Sequence, residues 1–497
     1  MLRTTLKRAV IRPLSTTTTR IICRRQSGHA VNIAAEPSTK REGDISDSFA
    51  SLSRLENAPL PDQFRVLKAS LVDGHEEAIK ASWDRLLERL KIENEVVAQQ
   101  GSKVIPEIRF DHLDEDLRNS REEIKKRGAA VIRGVVPEDE ARGYKFELDD
   151  YIRKNPQTKG FPNDDPQVWE LYWSAPQLRA RLHPNFLRVQ SALMRHTWHT
   201  SDPTSLVSLT HPLTYADRLR MRQPGDAAFS LGPHQDGGSV ERWMREGYGR
   251  GGTYNAVFAG KWDADEFDPW DASTRVDAVN DLYDGLGACS AFRMFQGWLS
   301  MSAVGPREGT LLVNPLLKLA TAYSLLRPFF RPRMTLPAEQ QEQPLQGVER
   351  ARFLDARNWE FTGGDSMTSE IPGATPGYGM EFPRWAWHPH LELDRTMVHV
   401  PAVRPGDFVA WHCDTTELNA NYVARMRQAW RNGTPGPDFP GGKGESEHVD
   451  RPDEQFVRSV TNADGLASMG LEPLREPIDG SEGEKEAVRR ANRILGF

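Results

Sequence analysis

The sequence predicts an α+β protein with a mainly β core, an antiparallel sandwich or barrel that carries helical extensions at both ends. Three observations predict it. From about residue 200 to 415, short β-rich runs alternate with Gly/Pro turns, the pattern of sandwiches and barrels rather than of βαβ repeats. Ahead of that stretch, "VDGHEEAIKASWDRLLERLKIENEVVAQ" (72–99) sets Ile79, Trp83, Leu86, Leu87 and Leu90 at helical spacing with Glu and Lys/Arg between them, an amphipathic helix. Behind it, "ELNANYVARMRQAWRNG" (417–433) and residues 484–495 turn helical again.

The elements follow in order. Residues 1–35 carry Arg3, Lys7, Arg8, Arg12, Arg20, Arg24 and Arg25 and no acid before Glu36, with a Ser/Thr run at 15–19. That is the composition of a mitochondrial transit peptide, so the expected location is the matrix, with the cytoplasm as the alternative. Residues 36–100 read as a linker followed by the N-terminal helix. A second, charge-rich helix is predicted over 113–126. "AAVIRGVV" (129–136) is β-rich and runs into Pro137-Glu138-Asp139-Glu140, a Pro and acids fit for a first helical turn. Further strands are predicted over 218–222, 291–302, 310–313, 395–400 and 407–411, and the acidic stretch 263–284 reads as an inserted loop. The core domain thus covers 101–430. Residues 431–497 supply a Gly/Pro loop, "TPGPDFPGGKGESE", and a last helix packed on the core.

Composition excludes several classes of function. A net charge of −6 with balanced signs gives no footprint for nucleic acid. The three cysteines, Cys23, Cys289 and Cys413, have no paired spacing, so neither a disulfide framework nor a thiolate zinc site is indicated. The longest apolar tract, 311–326, is broken by Asn314, Pro315 and Lys318, so no membrane span is expected. "FPGGKGES" lacks the spacing of a phosphate loop, and no serine nucleophile elbow is present. A small-molecule substrate is the expected partner. Trp262, Trp270, Trp298, Trp385 and Trp387 either line its pocket or fill the core.

Four His-x-Asp triplets occur: His112/Asp114, His234/Asp236, His412/Asp414 and His448/Asp450. His112 lies in a charged helix, where residues two apart diverge by about 200°. His448 lies in a polar loop. His234 and Asp236 sit in "SLGPHQDGG", and on extended backbone i and i+2 face one side. Gly232, Gly237 and Gly238 allow close approach there. An imidazole and a carboxylate on one face are two arms of the two-His, one-carboxylate iron site of non-heme oxygenases, whose open positions take a 2-oxo acid and O₂.

The motif "GPHQDGG" resembles the metal arm of the Fe(II)/2-oxoglutarate oxygenases, most closely the phytanoyl-CoA dioxygenase and clavaminate synthase branch. Six stretches resemble one subfamily, the domain of unknown function 1479: 127–141, "GPHQDGGSVERW" (232–243), "GTLLVNPLLK" (309–318), "RPGDFVAWHCD" (404–414), 433–449 and "RRANRILGF" (489–497). The resemblance spans about residues 100–497. It implies a double-stranded β-helix (a cupin-like jelly roll), with Fe(II) and 2-oxoglutarate as cofactors.

The resemblance also implies a second histidine on a late strand, about five residues past the His of "WHCD". This chain has Glu417 there, and a segment of the family pattern is missing after Asp414, through a real loss or a gene-model error. His388, His390, His399 and His412 are the late histidines, and the third ligand is expected from His412 or Glu417. A guanidinium is needed for the distal carboxylate of 2-oxoglutarate, and Arg222 and Arg425 are the candidates. Two rival readings stand beside the oxygenase. One is a catalytically inactive protein of the same fold that binds or scaffolds. The other is a cupin-type metal isomerase or hydrolase that uses its ion as a Lewis acid.

Overall fold

A sheet of four strands stands at the centre of the molecule, and its two faces carry different residues. This computed structural model describes residues 59–222, 232–283, 289, 291–337, 340–341, 343–413, 419–439 and 442–497. The segment 1–35, read as a targeting peptide, lies outside them. So do Asp414 and Glu417.

The strands run in the order Glu107–Arg109, Ala129–Arg133, Phe408–His412, Phe295–Leu299. The first pair is parallel and the other two are antiparallel. Ile132 pairs with Phe408 and Ala130 with Ala410, so these side chains share a face. With Ile108 they join Leu117, Ile124, Tyr144, Val189 and Leu193 in one buried cluster, which comes from the helices Leu113–Arg127, Glu138–Lys154 and Pro184–Thr197. Val131 and Val409 face the other way. They belong to a second cluster with Ile79, Trp83, Leu86 and Leu90 of the helix Glu76–Gln100 and with Tyr323 of the helix Leu317–Leu326. Trp83 stacks on Phe330 at 4.1 Å between ring centroids. Full burial contributes about 1.5–3 kcal/mol for each such large apolar side chain, so the N-terminal helix is part of the core.

A third cluster gathers Tyr172, Trp173 and Leu178 with Tyr422, Val423, Met426 and Trp430 of the helix Asn419–Asn432 and with Leu495 at the C-terminus. Glu445, in the Gly/Pro loop, ties this region together. Its buried carboxylate accepts from the backbone amides of Tyr172 (2.5 Å) and Trp173 (3.0 Å) and from the Tyr151 hydroxyl (3.1 Å).

Beyond the central sheet, the described strands form four further sheets of two or three strands. The described residues are therefore mixed α/β with short ladders, and none of their sheets closes into a barrel. Closure needs a continuous ladder around the whole ring, and most of the smaller ladders here are two residues long. Among the described residues no helix is long and apolar enough to cross a membrane.

Candidate metal centre

Asp236 is held on a two-residue strand, Gln235–Asp236, antiparallel to Met380–Glu381. Two glycines follow in the left-handed region, Gly237 at φ 99° and Gly238 at φ 88°. A Cβ on Gly238 would stand 2.7 Å from the carbonyl oxygen of Asn280, so this turn has no room for a side chain.

The extended backbone brings His234 and Asp236 to one side. Nε2 of His234 lies 3.8 Å from Oδ1 of Asp236, and the two side chains are 28% and 21% exposed. That separation is too long for a hydrogen bond and short enough for one ion at about 2.1 Å from each atom. Nδ1 of His234 lies 2.8 Å from the Gly232 carbonyl oxygen. Donating there fixes the tautomer and leaves the Nε2 lone pair directed at the shared position, the usual support of a metal-bound imidazole.

The second oxygen of Asp236 has a partner that sequence reading missed. With its amide turned to serve both neighbours, Gln296 donates to Oδ2 of Asp236 at 3.0 Å and accepts from Arg293 at 2.9 Å. Burial works against the charge on Arg293, but the Cys413 and Cys289 sulfurs once ionised, together with the Asp236 carboxylate, hold its pKa above the ordinary guanidinium value. The signal for this pair was a Gln and an Arg placed inside the apolar run "AFRMFQGW" (291–298).

The other expected residues lie elsewhere. His412 projects from the sheet face opposite to that of Gln296, because Gln296 is paired with Trp411 and His412 with Phe295. Its Nε2 is 2.9 Å from the Pro269 carbonyl oxygen, and its ring is stacked on Trp198 at 4.8 Å. Burial, reinforced by Arg275 and then Arg242, keeps it neutral and well below the ordinary histidine range. The structure thus gives His412 a packing role and does not bring it to the pair. His390 has both ring nitrogens engaged, with the Tyr323 hydroxyl and the Leu354 carbonyl. His399 sits in the Val398–His399 strand, and His388 stands 3.5 Å from Glu381. Arg222 donates to the Gly309 carbonyl at 3.2 Å. Arg425 is exposed on its helix and lines a cleft of about 400 Å³ with Gln428, Asn432 and Thr434. Trp262 and Trp270 are core residues, whereas Trp298 and Trp385 are only partly buried. Among the described residues no three His, Cys, Asp or Glu side chains converge. The pair therefore fits two arms of a metal site, and Glu417 is outside the described segments.

The fold so described is a mixed α/β one with sheets of few strands. The chain belongs to the Gig2-like family, whose profile matches residues 58–418 and 415–471. The two matched stretches overlap at 415–418. The chain is similar to GlcNAc Inducible Gene 2, GIG2 (DUF1479), of Candida albicans. That structure is 28% identical with a TM-score of 0.74, over 89% of this chain and 97% of that one. It is similar to the uncharacterised protein YbiU of Escherichia coli (strain K12), 28% identical over 75% of this chain and 87% of YbiU. A candidate oxidoreductase from Salmonella typhimurium LT2 is 26% identical with a TM-score of 0.65, over 84% of this chain and 99% of that one.

Proposed function

We propose that this chain is an oxidoreductase of the Fe(II)/2-oxoglutarate oxygenase type, acting on a small organic substrate from a core related to the phytanoyl-CoA dioxygenase jelly rolls. The observation that carries the proposal is the 3.8 Å pair of His234 and Asp236, with Nδ1 of His234 tied back to Gly232. His234 and Asp236 would hold the ion, and the bound iron with its 2-oxo acid would supply O₂ activation. Both side chains are partly exposed, as ligand access to the pair requires. Arg293 replaces Arg222 and Arg425 as the candidate for the 2-oxo acid carboxylate, because the Gln296 amide joins it to Asp236. A guanidinium fork suits a carboxylate bidentately. Gln296 fixes one oxygen of Asp236 and leaves Oδ1 for the ion.

Anaerobic reconstitution with Fe(II), followed by succinate measurement under air with 2-oxoglutarate, tests the reading. Near-stoichiometric iron and succinate release support it. Stoichiometric metal without succinate favours a Lewis-acid isomerase or hydrolase. Failure to retain any metal favours a binding or scaffold protein of the same fold, a reading that the two-armed centre also suits. In the active case, Arg293→Met is expected to weaken 2-oxoglutarate binding at least tenfold with iron content unchanged, read by titration of the Fe(II) protein. The acid-free leader suits import into the mitochondrial matrix, and a reporter fused to residues 1–35 tests that address.

A further inference from the structure

The strand that carries Asp236 pairs with its partner over only two residues, and a ladder that short is marginal by itself. Three other contacts hold the segment. Gly238 donates its amide to the Gly379 carbonyl at 3.1 Å. Tyr248 donates its hydroxyl to the Gly237 carbonyl at 2.7 Å. Arg242 donates to the carbonyl of Asp236 itself at 2.5 Å.

Arg242 is a costly residue to place there. Its side chain is 3% exposed, and the carboxylate facing it, Glu381, is 0% exposed at 3.8 Å. His388, 1% exposed, stands on the other side of that carboxylate at 3.5 Å. Apart from their mutual 3.5 Å contact, the oxygens of Glu381 and the ring nitrogens of His388 have no hydrogen-bond partner among the described residues. Buried charges of this kind do little for stability when compared with apolar groups of the same volume, so their presence calls for another role. Register supplies one. Glu381 is paired with Gln235, whereas Met380 is paired with Asp236. The Glu381 side chain therefore lies on the face away from the Asp236 carboxylate, where its charge does not compete for the ion. The cluster spans both strands from behind: Glu381 belongs to one, and Arg242 grips the backbone of the other.

We propose that Arg242 and Glu381, flanked by His388, are positioning residues that lock the 235–238 segment and so hold His234 and Asp236 at ligand spacing. The inference rests on the metal reading above. It is tested on the full chain with Arg242→Met combined with Glu381→Met, which removes both charges and keeps the volume. Mn(II) titration reads the centre, and amide exchange of 232–240 against 408–412 reads the segment. The expected result is Mn(II) binding weakened 10- to 100-fold, the range typical of residues that support metal ligands. Exchange in 232–240 should rise at least tenfold, with 408–412 unchanged. Arg242→Lys keeps a charge opposite Glu381 but lacks the forked donor, and it carries the same expectation if the double variant does not fold. Wild-type exchange and wild-type Mn(II) affinity in either variant overturn the proposal. Wild-type protein that binds no Mn(II) overturns the metal reading alone, and the exchange comparison still decides whether the cluster locks the segment.

Discussion

His234 and His412 each stand two residues before an aspartate, and the fold treats them in opposite ways. His412 ends a five-residue strand paired on both edges, faces the helical layer and has its Nε2 on a backbone carbonyl. His234 precedes a two-residue strand, keeps 28% of its side chain exposed and, among the described residues, has its Nδ1 on the Gly232 carbonyl. Identical spacing thus yields a packing residue where the ladder is deep and a candidate ligand where it is shallow. Burial removes an imidazole from chemistry by taking both its proton and its approach path.

The most decisive break of this comparison is at the exposed pair. His234→Ala or Asp236→Ala should each cut Fe(II) or Mn(II) affinity at least 100-fold, about 3 kcal/mol. The unfolding free energy from urea curves should fall by no more than about 0.5 kcal/mol for His234→Ala, as for other partly exposed sites, and by more for Asp236→Ala, which strips Gln296 and the buried Arg293 of their acidic partner. A metal titration beside a denaturation curve checks both halves.

His412→Ala should do the reverse, destabilising the chain by about 2–4 kcal/mol through the hole left against Trp198 and Trp270 and leaving metal uptake unchanged. The sign of its pH dependence follows from the depressed pKa. Below about 6.5 the unfolded imidazole takes a proton that the folded one refuses, so wild-type stability falls as pH drops through that point. His412→Gln should make this acid limb shallower, the remainder coming from other buried histidines such as His388 and His390.

The burial argument can be calibrated on Lys68, which is fully buried, donates to the Glu370 carbonyl at 2.8 Å and is pushed down to about 8 by desolvation. The unfolded lysine holds its proton to about 10.4, so the charge penalty is complete below pH 8 and is relieved as pH rises from about 8 toward about 10.4. Lys68→Met should stabilise by about 1–2 kcal/mol at pH 7 and lose the rise in stability between pH 8 and 10. Equal slopes in the two proteins would show that burial there is not what sets the charge. The smallest effect is expected for Arg425→Ala, which should leave stability within about 0.3 kcal/mol and 2-oxoglutarate binding unchanged, since the side chain is exposed on its helix.

The sequence disclosed elements where the pattern was strong and local. The 72–99 periodicity became the helix Glu76–Gln100, and the β-rich run at 129–136 became the strand Ala129–Arg133. The helix Gln63–Val72 falls in a stretch whose short, mixed window reads as linker, and Leu317–Leu326 is hidden because a uniformly apolar run carries no period. Of the candidate site, the His234–Asp236 pair was legible because a two-residue spacing on extended backbone fixes relative direction. Arg293, Gln296, Arg242, Glu381 and His388 were not, since each depends on strand register between segments far apart in the chain. His412 and Glu417 were named from position alone, and only pairing with Phe295 shows which way His412 turns.

The central strand ending at His412 has neighbours on both edges, and a helix begins again at Asn419. With both ends of that connection anchored, residues can be gained or lost between them at small cost in chain entropy. Length variation at this point would leave the sheet and the helix that flank it in place, and the two stretches of the family match overlap there, at 415–418.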